Sequence, residues 1–280
     1  MAVLLALASA FAYGLSDFIG GRAATRTTPW AVAFVGQLTA AVLIGVLSLV
    51  RGGAPDGVDL LWAVVAGTGG GLGAVFLYRG LSTGRMGVVA PVSGVGAAVL
   101  PVVVGLSLGE RPGVLVGLGI VAALPGIWLV AREPSEGGGG ATAGPLRDGL
   151  LAGAGFGILF VGLAQVPDEA GLLPVALNHL VAALITVVAA VVVHAHWLPG
   201  RRESRGTLAA AAAGVLAAGA TTAFLLASQG GYLTVVAVIA SLYPAFTVAL
   251  AALVLRERVH RAQGAGLVLC AVAVGMVAAG

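Results

Sequence analysis

Charge is what this sequence has least of. Asp, Glu and Arg together make up 9% of its 280 residues, and lysine is absent. A soluble domain carries about 25% charged residues, so this chain cannot clothe a water-facing surface. A soluble enzyme, a disordered tail and a nucleic-acid-binding module are thereby excluded, and no run of basic residues could track a phosphate backbone. Cysteine is nearly missing too. Cys270 stands alone, which excludes an intrachain disulfide, and its apolar surroundings mark it as a packed core residue. Asparagine occurs once, at Asn178. Glycine is the opposite case: its 45 residues follow no three-residue period, so collagen is excluded as well. What remains is apolar: 59% hydrophobic residues and a mean hydropathy of +1.08.

Those apolar residues come in long runs. A membrane helix needs about 20 of them to cross roughly 30 Å of hydrocarbon. Ten runs fit, over residues 2–20, 30–50, 58–78, 86–108, 112–131, 148–166, 172–193, 207–228, 232–255 and 262–279. The in–out alternation of a membrane β-barrel is missing. The expected fold is therefore an all-α polytopic membrane protein with ten transmembrane helices. No basic stretch precedes the first run, which reads as a retained span rather than a cleaved signal. The longest polar interruption, Arg132 to Glu136 followed by Gly137–Gly140, sits in a Gly-rich linker over 132–147. It separates five spans over 1–131 from five over 148–280.

The halves resemble each other at an offset of 147 residues. Leu108-Gly109-Glu110-Arg111 maps on Leu255-Arg256-Glu257-Arg258, Gly84 on Gly231, Val89 on Val236, Gly117 on Gly264 and Gly119 on Gly266. Five is odd, so the second copy is inserted upside down. Two inverted five-helix repeats are the pattern of secondary transporters, which place substrate near the midplane between the halves.

The stretch Tyr78-Arg79-Gly80-Leu81-Ser82-Thr83-Gly84-Arg85-Met86-Gly87-Val88-Val89-Ala90-Pro91-Val92, closing at Leu108-Gly109-Glu110, resembles the drug/metabolite transporter superfamily in its ten-helix EamA branch. Ser241-Leu242-Tyr243-Pro244 and Arg256-Glu257-Arg258 resemble the second copy. The resemblance covers nearly the whole chain. It implies export or import of small metabolites or drugs, efflux among them, through a cavity lined by spans 1, 3, 4, 6, 8 and 9. One departure is visible: the first copy has Ala97 where the second has Pro244.

Arginine is distributed unevenly. The loops after spans 1, 3, 5, 7 and 9 hold twelve of the 14 arginines, and the opposite loops hold Arg51 and Arg111. The positive-inside rule puts the twelve in the cytoplasm and both termini outside. The family resemblance implies both termini inside.

Polar groups within the spans are functional candidates by default. Asp17 would couple transport to a proton or cation, or anchor a substrate amine, and an ion pair with Arg79 at the end of span 3 is expected. Pro91 and Pro244 would break spans 4 and 9 and free backbone carbonyls for a cavity. Ser93, Ser241, Tyr243 and Thr247 beside them are the expected substrate contacts. Gln37 and His179 lie at equivalent depths in spans 2 and 7, where interhelical hydrogen bonding is the commoner use and proton transfer the alternative. Thr221, Thr222 and Gln165 are weaker candidates. Glu110 and Glu257, each beside arginines at a span end, are expected to cap helices. Gly149, Gly153 and Gly157 recur every four residues and should allow one close helix contact.

Neither a cofactor nor a metal is expected, and neither is enzymatic activity. The His-Glu-x-x-His helix of a membrane metalloprotease is missing, and a diaspartyl protease would need a second membrane carboxylate. Gly69-Gly70-Gly71-Leu72-Gly73 follows no strand and is no nucleotide loop. The expected function is alternating-access transport across the plasma membrane, with proton-coupled export as its sharper form. An intramembrane enzyme or a non-transporting subunit is the alternative. The partners expected are a small-molecule substrate and the lipid bilayer, and a homodimer is compatible with the sequence.

Overall fold

The structure is a computed structural model that describes residues 1–82, 86–131, 143–200, 203–256 and 259–280. Among the described residues there are eleven α-helices: α1 (Ala2–Ala24), α2 (Pro29–Arg51), α3 (Gly57–Ser82), α4 (Met86–Ser107), α5 (Val114–Ala131), α6 (Ala143–Ala164), α7 (Leu173–Val192), α8 (Ser204–Gln229), α9 (Leu233–Ala240), α10 (Tyr243–Val254) and α11 (Arg261–Ala279). They realise the ten expected spans, because α9 and α10 are two halves of the ninth. Among the described residues nine stretches are long and apolar enough to cross a membrane, and Val92–Ser107 of α4 is a shorter apolar one. The linker expected over 132–147 falls on 132–142, outside the described residues, and α6 begins at Ala143 rather than 148. Pro145 fits there because a helix's first turn has no use for its missing N–H.

The packing obeys the repeat. α1 lies on α8 as α3 lies on α6, α2 lies on α8 as α3 lies on α7, and α2·α7 and α5·α11 pair each helix with its own counterpart. At α5·α11 the symmetry reaches single residues. A Cβ at Gly119 would meet Ala273 and Val277, while one at Gly266 would meet Gly126 and Val130. Each of these three residue pairs, 119/266, 126/273 and 130/277, is separated by the same 147 residues. Contacts that swap this way are those of a two-fold axis, here one relating the halves of a single chain.

Glycine sets the helix spacing. Gly149, Gly153 and Gly157 of α6 all face α4, where a Cβ would meet Val92, Gly96 and Leu100 respectively. On the neighbouring face, Gly155 of α6 packs against Gly69 and Gly73 of α3. Without a large hydrophobic term between helices in lipid, such close approach is what holds them together.

At the arginine-rich end, short polar links join the α1–α2 connection to the residues before α8. Thr28 caps α2 by accepting from Ala31 N at 3.1 Å, ahead of Pro29. The Thr27 hydroxyl donates to the Glu203 carboxylate at 2.5 Å, and Gly200 N donates to it at 3.1 Å. These hydrogen bonds hold the Glu203 carboxyl below its ordinary value of 4.5. Their contribution to stability is therefore complete above that ordinary value and lost as pH falls through the lower folded one. Melting temperatures taken from neutral to acid pH should fall less steeply for Glu203→Gln than for the native protein. Parallel curves would mean that the carboxylate contributes nothing.

Candidate functional site

The ninth span is broken where its sequence has Ser241-Leu242-Tyr243-Pro244. Ser241 N closes the last turn of α9 on Ala237 O at 2.9 Å, Leu242 N bonds to Ile239 O at 3.0 Å, and α10 starts at Tyr243. Pro244 has no N–H, so the Ala240 carbonyl lacks the donor that a continuous helix would supply. The two pieces live in different surroundings. Every α9 residue except Val235 is buried, whereas α10 has no buried residue.

α1 repeats that division along one face. Ala6, Ala10, Tyr13 and Asp17 follow helical spacing toward the bundle interior. Ala6 and Ala10 are fully buried, Tyr13 is half-buried and Asp17 is exposed. The interior is thus sealed around the N-terminal half of α1 and around α9. It opens toward the end that carries Arg22, Arg79 and Arg256.

At the boundary four helices converge. The Tyr13 hydroxyl shares a hydrogen bond with Thr221 Oγ1 of α8 at 3.0 Å. Its ring lies 6.3 Å from Phe160 of α6 and 6.3 Å from Tyr243 of α10. Phe160 in turn stacks on Phe224 of α8 at 4.5 Å. Asp17 lies one turn beyond Tyr13 on the same face of α1. Among the described residues no cation or hydrogen-bond donor pairs with the Asp17 carboxylate. An exposed acid at the open end of an aromatic-walled interior can take up a proton or a cationic group.

α1 and α10 touch closely here. A Cβ at Gly14 would stand 2.6 Å from Phe246 Cβ and 2.7 Å from the Tyr243 carbonyl oxygen. Thr247 ties the same pair: its hydroxyl donates to Gly14 O at 3.1 Å and lies 3.2 Å from Tyr243 O. Its proton is therefore used in helix contact. Ser241 is fully buried and its Oγ has no partner among the described residues. Ser93 is buried in α4 on the side that Gly153 of α6 approaches.

Two expectations need correction. Asp17 and Arg79 do not pair. Arg79 Nε lies 3.2 Å from both oxygens of Asp148, to which the guanidinium is ion-paired. The reason is topological: α3 packs on α6, which brings Asp148, while α1 packs on α8 and α10. Pro91 does not break its helix either, since α4 runs through it from Met86 to Ser107. It stands near the helix start, so the carbonyl it frees is Gly87's, in the first turn. Pro244 frees one in mid-span.

Gln37 and His179 meet across the α2–α7 interface, with His179 Nδ1 2.6 Å from Gln37 Oε1. Gln165, just past the end of α6, donates weakly to Val161 O at 3.5 Å, and Thr222 donates to Ala218 O at 2.8 Å. Glu257 lies outside the described residues. Tyr13, Phe160 and Phe224 were not singled out from the sequence. The one available signal was the spacing of Tyr13, one helical turn before Asp17. Among the described residues no group of His, Cys, Asp and Glu could hold a metal ion.

A family model described as the EamA-like transporter family matches residues 1–132 and 149–279. A solved crystal structure of a protein 19% identical in sequence superposes with a TM-score of 0.75, covering 99% of this chain and 95% of that one. At that identity the likeness speaks for the fold alone. No curated protein matches the chain.

Proposed function

The chain belongs to the EamA-like transporter family, a family of membrane transporters of small solutes, and on that premise we propose that it exports its solute across the cytoplasmic membrane by alternating access coupled to protons. The observation that carries this reading is the graded face of α1. A bundle with inverted halves, sealed along one half of its interior and open along the other, is one of the two mirror-related states that alternating access requires. The solute binds at the boundary, between Tyr13 and Asp17 of α1, Thr221 of α8 and Tyr243 of α10. The Ala240 carbonyl and the unpartnered Ser241 hydroxyl, both at the break, become substrate contacts when α9 moves. Ser93 is their counterpart in the first half. Asp17 exchanges a proton for the solute's amine, so that uptake of one from its side of the membrane releases the other.

The test is binding first and flux second. Melting temperature of the purified protein is measured against amines, amino acids, nucleosides and sugars, since a ligand at 100 times its Kd stabilises by about 2.7 kcal/mol. An amine should raise the melting temperature, and Tyr243→Ala should remove most of that shift. Proteoliposomes loaded with the hit should then exchange it only when the bilayer carries the protein. Failure of every hit to cross would sink the transport mechanism. The enzyme alternative lacks support at its strongest point, because His179 uses Nδ1 on Gln37 at the α2–α7 interface, whereas Ser241 lies at the α9–α10 break.

A further inference from the structure

The sealed end of the interior is bridged by a long-range side-chain tie. Glu110 lies in the turn after α4, on the arginine-poor face, and its carboxylate crosses to the start of α9. There it accepts from Leu233 N at 2.6 Å and from Thr234 N at 2.9 Å. Both amides belong to the first turn of α9, which has no backbone acceptor for them and carries the positive end of the helix dipole. Hydrogen bonds from such amides to a carboxylate are charge-assisted and among the stronger ones available.

The turn is built to present that carboxylate. Gly109 has φ +97, a conformation that suits glycine, and Glu110 N returns to Gly105 O at 3.0 Å. A Cβ at Gly105 would stand 2.6 Å from Glu110 Oε2 and 2.8 Å from Thr234 Cγ2, so only glycine leaves room for the crossing. Arg111 adds hydrogen bonds to Leu106 O at 3.2 Å and Glu110 O at 2.9 Å. The second copy keeps the backbone of this turn: Arg256, 147 residues after Gly109, has φ +58 although it is not glycine.

We infer that Glu110 is a latch that holds the interior shut on the arginine-poor face by tying the exit of α4 to the head of α9. The inference rests on the alternating-access reading above. α4 and the α9–α10 span are repeat counterparts, and α9, buried at every residue but Val235, is the wall that must move for this end to open. Separating it from α4 breaks both Glu110 hydrogen bonds at once. The half-buried carboxylate is then free to be rehydrated from the aqueous side, which makes the step reversible.

Two cysteine probes on α1 test this in a Cys270→Ala background. Ala6→Cys reports the sealed half, where Ala6 is fully buried. Gly21→Cys reports the open half, because nothing lies within 4 Å of a Cβ there. Each is labelled with a membrane-impermeant maleimide in vesicles of both orientations, with Glu110 intact and as Glu110→Ala. The expected result is that Glu110→Ala raises labelling of Ala6→Cys from the arginine-poor face about tenfold or more and lowers labelling of Gly21→Cys from the other face. Glu110→Gln, which keeps one acceptor oxygen, should fall between and guards against a folding defect in the alanine variant. Unchanged labelling of Ala6→Cys in both variants overturns the latch. A rise at Ala6→Cys without a fall at Gly21→Cys keeps the latch and overturns alternating access, since both ends would then stand open together.

Discussion

Asp17→Asn should abolish uphill accumulation of solute driven by a proton gradient while leaving the protein folded and able to exchange solute downhill. The argument is one of charge. Among the described residues Asp17 is the one carboxylate a helical turn from Tyr13 on this face, and it has no ion-pair partner there. Asparagine keeps the shape and loses both the charge and the titrating proton. A hydrogen bond to a charged group is worth about 1.5–3 kcal/mol, and each 1.4 kcal/mol is a factor of ten in affinity. The apparent affinity for a cationic solute should therefore fall by roughly 10- to 100-fold, and its dependence on pH should disappear. Tyr13→Phe is the matched control. It removes one neutral hydrogen bond, the 3.0 Å contact with Thr221, and should cost less than tenfold. Transport assays in proteoliposomes with and without an imposed pH gradient separate the two variants. An asparagine variant that still accumulates solute with the native pH dependence would remove Asp17 from the coupling step.

The parts of the molecule that were legible in the sequence are those that the bilayer dictates. Lipid offers no hydrogen bonds to backbone, so spans must be long apolar helices, and ten runs could be marked by inspection. The inverted repeat was legible because pairs such as Gly117 and Gly264, or Gly119 and Gly266, recur at one offset, and the structure puts Gly119 and Gly266 at equivalent α5–α11 contacts. Pro244 signalled its break, but proline alone is no break signal, since α5 runs on through Pro125. The same residue type misled at Pro91, where the helix had only just begun. Which helices are neighbours was not legible. The sequence placed Asp17 and Arg79 at the same membrane face, but a face is wider than a salt bridge, and the partner of Arg79 came from α6. The aromatic wall escaped notice for a related reason. Tyr13, Phe160, Phe224 and Tyr243 come from four helices, so they form a group only after the bundle has closed.

Gly153→Val should be the most destabilising single substitution at the α4–α6 contact, because the approach there is backbone to backbone. A Cβ at Gly153 would lie 2.8 Å from Gly96 Cα and 3.0 Å from Ser93 O, and a Cβ at Gly96 would lie 2.9 Å from Gly153 Cα. Neither side has a flexible chain end that could move aside, so the helices themselves must separate. Overpacking of this kind costs about 1–3 kcal/mol. Here lost dispersion is added to it, since van der Waals contact is the main force joining helices in lipid. The consequence reaches function, because Phe160, which flanks Tyr13, is two turns further along the same helix. Gly153→Val should lower the melting temperature and also weaken solute binding. Gly117→Val on α5 is the control of equal added volume, as nothing lies within 4 Å of a Cβ there. It should melt within a degree or two of the native protein, in line with roughly 0.5 kcal/mol for substitutions that meet no neighbour. Equal losses at both positions would mean that valine harms any span glycine alike and that the α4–α6 contact is no closer than the rest. A loss confined to Gly153 would show that the distance between these two helices is held by the absence of one side chain on each.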